Sequence, residues 1–526
     1  MTRPAGVERL GPMTSARIGL LGVLLAFIGM GALYAEFVPH FLPADETSHA
    51  GQALILGRGE LPRLDSEVPD QIPDLQLQFE IRRQTYTANH PPLYYALVAI
   101  PLRVGVEMGH PSAGMSGARL LTVLLTSIGA VATYWTARVL VPDRGDFAVL
   151  AAALAVLVPA VHRFAGVIHN DGLGLAVFGV SAAIAAELLV KGPTRSRMLV
   201  AMATACAMIL TRAIGLGGVV VLAGATGLAY VIHHRGSVRD RFVLGLGRAS
   251  LVVLAAAVTG GWFWVRNNRL YGDLAGSAYN LDRFDYSRRG STLEFLTDPE
   301  ITVALHRQLW GRFYDAAEFA IGGGAWPGGI VVALIVAGWL VLALHGAGWL
   351  RRLIGRFRRD AASSALPDWD TATWGRAATW TMLIGWTLLV WVSSVSYFAS
   401  GGGLHGRYLF PAFPAAALLA AAGLCSLPGR RWALAPIAVT TIMVGSALSW
   451  TSEFVVRLGP AGATSWEALK FQAARNGVPA LAVGATIAVA VIGTTMACVG
   501  LFLSAPRDQR SLGALSNPRS DRPNQM

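Results

Sequence analysis

Two adjacent carboxylates and an imidazole, Asp45, Glu46 and His49, follow directly on the first long apolar run of the 526-residue chain. A carboxylate held beside a membrane surface can keep a raised pKa and act as general base on a hydroxyl. The same residue types can ligate a divalent ion such as magnesium or manganese. In that case the two carboxylates and the histidine are the candidate ligands. If Asp45 opens a helix as its N-cap, Glu46 and His49 stand on one face of it. Capping and dipole compensation need only one acid, and two acids with a histidine exceed that need.

Other residues that could do chemistry recur beside apolar runs: His90, Arg163, His169, Asn170, Asp171, Arg212, Arg266, Arg269, His405 and Arg407. A guanidinium fork binds phosphate through charge-assisted hydrogen bonds. A single arginine at a helix end is explained as well by snorkelling to headgroups. Several from different helices, together with carboxylates, indicate a polar cavity. Asp171, in His169-Asn170-Asp171-Gly172, has a helix cap as its rival explanation. Arg407 follows Gly401-Gly402-Gly403, and flexible backbone beside an arginine suits a phosphate cradle.

The elements that must position these residues are membrane helices. The chain is 54% hydrophobic and 14% charged, against roughly 25% charged in ordinary soluble proteins. Apolar stretches of crossing length recur near 18–38, 119–140, 147–165, 171–190, 198–213, 215–232, 249–266, 326–345, 377–398, 407–427, 432–450 and 478–503. The expectation is an all-α polytopic membrane protein of about 12 transmembrane helices (11–13). Residues 1–505 form one transmembrane domain, and 506–526 a disordered basic cytoplasmic tail. The net charge of +12 reflects arginines in short loops rather than nucleic-acid binding. Cys206, Cys425 and Cys498 all lie in apolar segments and suggest neither disulfides nor a metal knuckle. The first run, preceded by Arg3, Arg9 and Arg17, reads as a retained helix.

The positive-inside rule places both termini in the cytoplasm of a plasma-membrane protein. The first extracytoplasmic loop is then 39–118 and the second large one 267–325. Both basic loops, at Lys191–Arg197 and His233–Arg248, fall inside only if the short run 91–105 does not cross, so it is expected to be a juxtamembrane or re-entrant helix. The weak point is 198–232, one long span if Arg212 were tolerated mid-membrane. With this orientation the acids and the unusual arginines share the outer face.

No Walker loop, dinucleotide fingerprint or His-Glu-x-x-His pattern occurs in a convincing context, so a soluble nucleotide cofactor has no visible docking site. An outward-facing transferase would take its activated sugar from a polyprenyl phosphate. Asp45-Glu46, His90-Pro91-Pro92-Leu93-Tyr94-Tyr95, Asn170-Asp171, Gly261-Trp262 to Tyr271-Gly272-Asp273 and Gly406-Arg407-Tyr408-Leu409-Phe410-Pro411 together carry a resemblance. The chain resembles the GT-C superfamily of integral-membrane glycosyltransferases, nearest to bacterial relatives of protein O-mannosyltransferases and aminoarabinose transferases. Pro43-Ala44-Asp45-Glu46-x-x-His49 with Leu309-Trp310-Gly311-x-Phe313 is similar to an uncharacterised branch of it.

The resemblance implies many helices, juxtamembrane helices in the first outer loop, and hexosyl or pentosyl transfer from a polyprenyl-phosphate-linked donor. It makes Asp45 the base, with Glu46 beside it in the catalytic pair. It gives Glu46 and Asp171 as positioning or metal residues, and Arg407 as the donor-phosphate residue. The expected substrate-binding set is His49, His90, Asp171, Arg212, Arg269 and Arg407. The absence of a large soluble module between spans favours a glycan or lipid acceptor over a protein. Two rivals are a transporter or flippase for a lipid-linked or anionic solute, and a non-catalytic scaffold of the same fold. Transporters tend to place ionisable groups near mid-membrane and to carry paired repeats, and no repeat is evident here.

Overall fold

The structure is a computed structural model describing residues 12–40, 45–69, 84–310, 328–344, 370–427, 431–451, 460 and 462–505. The expected tail at 506–526, and Arg3 and Arg9, lie outside the described residues. Among the described residues the chain is helical without strands, apart from one isolated bridge between Glu67 and Gln84.

The helices are α1 (Pro12–Phe37), α2 (Glu46–Gly57), α3 (Leu93–Glu107), α4 (Pro111–Leu140), α5 (Gly145–Val156), α6 (Pro159–Ala165) and α7 (Asp171–Lys191). Then come α8 (Arg195–Ile209), α9 (Gly215–His233), α10 (Val238–Tyr271), α11 (Ser277–Arg283), α12 (Thr292–Thr297), α13 (Pro299–Trp310) and α14 (Gly328–Leu344). The last are α15 (Thr371–Ala399), a 3-10 turn (Gly406–Ala412) running into α16 (Phe413–Ser426), α17 (Arg431–Thr451), α18 (Ser465–Arg475) and α19 (Ala480–Ser504). Nine described helices are long and apolar enough to cross a bilayer, or ten if α5 and α6 form one broken span. Helices α8 and α14 stand where two further spans were expected and fall short of that length.

The bundle is closed by its first and last helices. A Cβ on Gly22 of α1 would meet the Ala497 backbone at 2.2 Å, and one on Gly493 of α19 would meet Ala26 nitrogen at the same distance. Glycine and alanine on both faces let the two backbones touch, the packing that small residues permit in lipid.

Three departures from regular crossing helices shape the site. Helices α5 and α6 meet at 60°, where Pro159 supplies no amide hydrogen and opens the second segment. The stretch 198–232 is a hairpin, α8 then α9, and Arg212 sits in the turn between them rather than inside a helix. At 15 residues α8 is only about 22 Å long, less than a hydrocarbon core of about 30 Å. Run 91–105 is α3, also 15 residues, packed on α2 and α4. Its close approach to α4 needs Gly105, where a Cβ would strike Gly114 at 2.4 Å.

The two ends of the bundle differ. At one end Glu187 gathers Lys191 (2.6 Å), Arg197 (3.1 Å) and the Trp135 indole (2.8 Å), and Arg144 pairs with Asp146 (2.7 Å). The basic loop His233–Arg241 joins the same end through His233 on the Leu189 carbonyl. The opposite end holds the start of α2, the α6–α7 and α8–α9 turns and the head of the 3-10 turn.

Candidate active site

Asp45 occupies the N-cap position of α2, but its side chain does not cap. Its backbone is left-handed, with φ of 71°, unusual for a residue with a Cβ. The carboxylate is thereby free for tertiary partners. Oδ1 accepts a hydrogen bond from the Tyr86 hydroxyl (2.8 Å), and Oδ2 accepts one from Arg407 Nη2 (2.5 Å). The two partners lie 41 and 362 residues away in sequence, so the site is made by the fold.

A second acid lies behind the first. Asp171, in the first turn of α7, is fully buried, pairs with Arg212, and stands 3.7 Å from Arg407 Nε. Asp45, Arg407, Asp171 and Arg212 thus form a charge-balanced chain of alternating sign contributed by four elements. It borders a cavity of about 460 Å³ lined by Asp45, His49, His90, His169, Arg212 and Arg407. The lining continues over Tyr86, Asn89, Asn280, Phe284, Tyr286 and Tyr397.

Burial acts to raise the Asp45 carboxyl, but Arg407, neighbouring histidines and the Tyr86 hydroxyl outweigh it and hold the group well below the ordinary range. Arg212 is lowered by burial to about 10 and keeps its proton. Burial drives His49, His90 and His169 well below the ordinary imidazole range, with nearby positive charge adding to it. All three are therefore neutral near pH 7.

Neutral imidazole is the metal-binding form, and the histidines here are oriented. His169 Nδ1 lies 2.9 Å from Asp171 Oδ2 and 3.3 Å from the Asp171 amide. Nδ1 accepts the hydrogen bond from the Asp171 amide, and Nε2 makes no hydrogen bond. His49 Nδ1 lies 2.7 Å from the Tyr95 hydroxyl, which steadies the ring. One ligand atom each from Asp45, His49 and His169 lie within 4.8 Å of one another. Histidines steadied through the other ring nitrogen are what metal sites use. The residues present therefore fit a cation, through Asp45, His49 and His169.

Glu46 is not on the cavity. Its carboxylate takes two hydrogen bonds from Arg119, at 2.8 and 2.6 Å, and one from the Ile168 amide at 2.9 Å. Neither side chain of the Arg119–Glu46 pair has any solvent exposure. Arg119 also donates to the carbonyls of Ala35, Val38 and Pro39 at the end of α1. Burial pushes Glu46 up, and Arg119 more than reverses this. Arg269 is exposed on the last turn of α10 and does not line the cavity. The glycines before Arg407 serve packing: Gly401, at φ of 111°, abuts the Ser287 carbonyl, Gly402 fits the Tyr397 ring, and the Gly402 carbonyl receives Arg289.

Sequence reasoning missed Arg119, and it left His169 outside the expected site set. The signal for Arg119 was present: it is another arginine at the same end of a span, the feature that drew attention to Arg407.

The fold and the charged chamber define a multi-pass membrane protein with a polar site at one end of its helices. No family model matches the chain, and neither does any curated protein. Among solved structures it is similar to ArnT from Cupriavidus metallidurans bound to undecaprenyl phosphate. That match has 15% identity and a TM-score of 0.48 over 92% of this chain and 76% of that one. It is also similar to the apo state of the same protein (16%, TM-score 0.46, 90% of this chain and 74% of that one). A third similar structure is the Archaeoglobus fulgidus oligosaccharyltransferase tethered with an acceptor peptide (12%, TM-score 0.36). This chain spans 57% of that protein's length.

Proposed function

We propose that the protein is a glycosyltransferase of the outer face of the plasma membrane. It moves a hexosyl or pentosyl unit from a polyprenyl-phosphate-linked donor to a glycan or lipid acceptor. The observation that carries this reading is the Asp45–Arg407 pair, a carboxylate and a guanidinium in direct contact on the lining of the cavity. Outer sidedness is supported by the basic loops at the opposite end of the bundle.

Chemistry follows from the charges. The acceptor hydroxyl gives its proton to Asp45 while its oxygen bonds to the anomeric carbon. The bond from that carbon to the phosphate oxygen breaks, and polyprenyl phosphate leaves with the electron pair. Arg407 and Arg212 face the charge that develops on the leaving phosphate, the kind of preorganised stabilisation that dominates such transfers. A carboxylate already bound to a guanidinium is a poor base. Donor phosphate competes for Arg407 and thereby frees Asp45, so the base is released when the donor is in place. Glu46 acts through the backbone: its clamp to Arg119 ties the start of α2 to the end of α1 and fixes where Asp45 stands. It is a positioning residue, and Arg269 has no role in the chamber.

A cation, if bound, would be held by Asp45, His49 and His169, and it would supply a Lewis acid for phosphate oxygen. Two imidazoles favour a zinc-like ion over magnesium.

The test is transfer from an undecaprenyl-phosphate-linked sugar by purified protein in detergent, where no compartments exist for a transporter to act between. Asp45→Asn is expected to abolish turnover with folding intact. Arg407→Gln is expected to lower kcat by about 10²–10³. Turnover by Asp45→Asn at the wild-type rate would remove the assignment.

A further inference from the structure

Arg407 is the second residue of the 3-10 turn, and the strap 404–406 that leads into that turn belongs to no helix before it. His405 enters the turn in an extended conformation, and its side chain does not cap it. The first amides of a helical turn find no partner inside it. A residue 98 positions earlier supplies one: the Gly406 amide donates to Oε1 of Gln308 at 2.5 Å. Gln308 Nε2 in turn donates to the Leu404 carbonyl at 2.8 Å. One primary amide thus engages the peptide groups on both sides of His405, as a neighbouring strand would. The approach needs the glycine, since a Cβ on Gly406 would meet Leu309 Cδ2 at 3.1 Å and Gln308 Cβ at 3.3 Å.

Gln308 is itself held in place. It stands near the end of α13, whose Ile301 and Leu305 join Val395 of α15 and Leu404 of the strap in a small separate apolar cluster. The Arg163 guanidinium, on α6, donates to the Gln308 backbone carbonyl, and a charged donor makes that a strong contact. Arg163 is buried and lines no part of the cavity, so the chamber leaves it without a direct use. The next residue of α6, Phe164, lies under the Arg407 guanidinium at 5.2 Å and meets Phe410 edge-on at 5.8 Å. Helix α6 therefore supports Arg407 twice, through Phe164 directly and through Arg163 and Gln308 at the strap. Gln308 is absent from the cavity lining, so it can act on a ligand only through what it holds.

We propose that Gln308, in the segment between α10 and α14, is a positioning residue for Arg407. Its side-chain amide caps the turn on which Arg407 stands and sets the guanidinium where Asp45 and Asp171 meet it. The proposal deepens the glycosyl-transfer reading and rests on it for the ligand, a lipid-linked phosphate. Without the amide, the Gly406 N–H and the Leu404 carbonyl lose this partner and the strap samples other conformations. Phosphate affinity then falls in proportion to the fraction of molecules whose turn is correctly set.

The experiment uses the full-length protein in lipid nanodiscs and reads two quantities. The first is undecaprenyl phosphate binding by wild type, Gln308→Met, Arg407→Gln and the double variant. Gln308→Met keeps the side-chain length and removes both hydrogen bonds. It is expected to weaken binding about tenfold, as when the competent turn is populated about a tenth of the time. In the Arg407→Gln background the same change should cost less than about twofold, because no guanidinium is left to place. A purely structural role would subtract equally from both backgrounds. Equal losses, or wild-type affinity in Gln308→Met, therefore overturn the proposal. Should Gln308→Met not fold, Gln308→Glu carries the same cycle, since it can no longer donate to Leu404.

The second quantity is hydrogen exchange at the Gly406 amide without ligand. Gln308→Met should speed it at least about tenfold, and Gln308→Glu, which retains the acceptor oxygen, should keep it near the wild-type rate. Exchange unchanged in Gln308→Met overturns the proposal whatever the binding shows. Undecaprenyl phosphate binding that ignores Arg407→Gln would count against the transfer reading instead. Gly406 exchange still decides the role of Gln308 in that case, so the two failures are distinguishable.

Discussion

Removing either partner of the Arg119–Glu46 pair is expected to be costly, and each in a different way. Glu46→Gln leaves a guanidinium with no solvent exposure bound to three carbonyls and no counter-charge. Breaking a buried pair from one side costs about 3–5 kcal/mol. Arg119→Met leaves the carboxylate with the Ile168 amide as its remaining donor, and burial then raises its pKa above the ordinary 4.5. The variant escapes by protonating Glu46, which at pH 7 caps the electrostatic cost at about 3.4 kcal/mol, at about 1.36 kcal/mol per unit.

The pH dependence therefore has opposite signs. In the wild type the folded pKa is depressed, so the stabilisation is present above 4.5 and is lost as pH falls through the lower folded value. In Arg119→Met the folded pKa is raised, so the penalty is full at high pH and shrinks as pH falls from 7 toward 5. Unfolding in mixed micelles with rising sodium dodecyl sulfate, followed by the fluorescence of the 15 tryptophans, reads all four corners of the double-mutant cycle. The double variant Glu46→Gln/Arg119→Met should be more stable than the sum of the singles by about 3 kcal/mol. Additivity within about 0.5 kcal/mol, or an Arg119→Met deficit unchanged between pH 7 and 5, would refute the clamp.

Two further predictions concern the chamber. Zinc or cobalt is expected to bind the purified protein, with His49→Phe and His169→Ala losing uptake and Asp171→Asn weakening it about 10- to 100-fold. Calorimetry with the metal salts checks this, and binding indifferent to both histidines rejects the ligand set. Sidedness is checked in a cysteine-free background. Ala278→Cys, exposed just beyond the chamber end, should react with a membrane-impermeant maleimide in whole cells. Arg235→Cys, exposed at the basic end, should react only after permeabilisation. The reverse pattern would place the site in the cytoplasm.

Most of the bundle was legible because crossing a bilayer imposes a length and a composition that a sequence displays directly. The α8–α9 hairpin was legible too, since Arg212 in mid-span is expensive and a turn there is not. The bend at Pro159 was not foreseen, nor was α18, whose short amphipathic sequence lacks a crossing-length run. For the site, residue type drew attention to Asp45 and Arg407, which the fold brings into contact, whereas Glu46, adjacent in sequence, faces Arg119. Successive residues at a helix start point in different directions, and only tertiary packing assigned Glu46 to Arg119 and Asp45 to Arg407. His169 was among the residues that could do chemistry, but nothing in the sequence joined it to His49. The fold sets His49, 120 positions earlier, against it at a ring separation of 4.2 Å.

The seam between α1 and α19 has a bearing on biosynthesis. Glu36 and Thr486, bonded across it at 2.8 Å, are about 450 residues apart. At roughly 5–20 residues per second the earlier helix waits on the order of half a minute to a minute and a half for its mate. Throughout that interval its glycine-lined flank is open to lipid and to any other nascent segment. Pairing of α19 with α1 is then the event that covers that flank, and quality control has a long window in which to catch chains that fail to complete it.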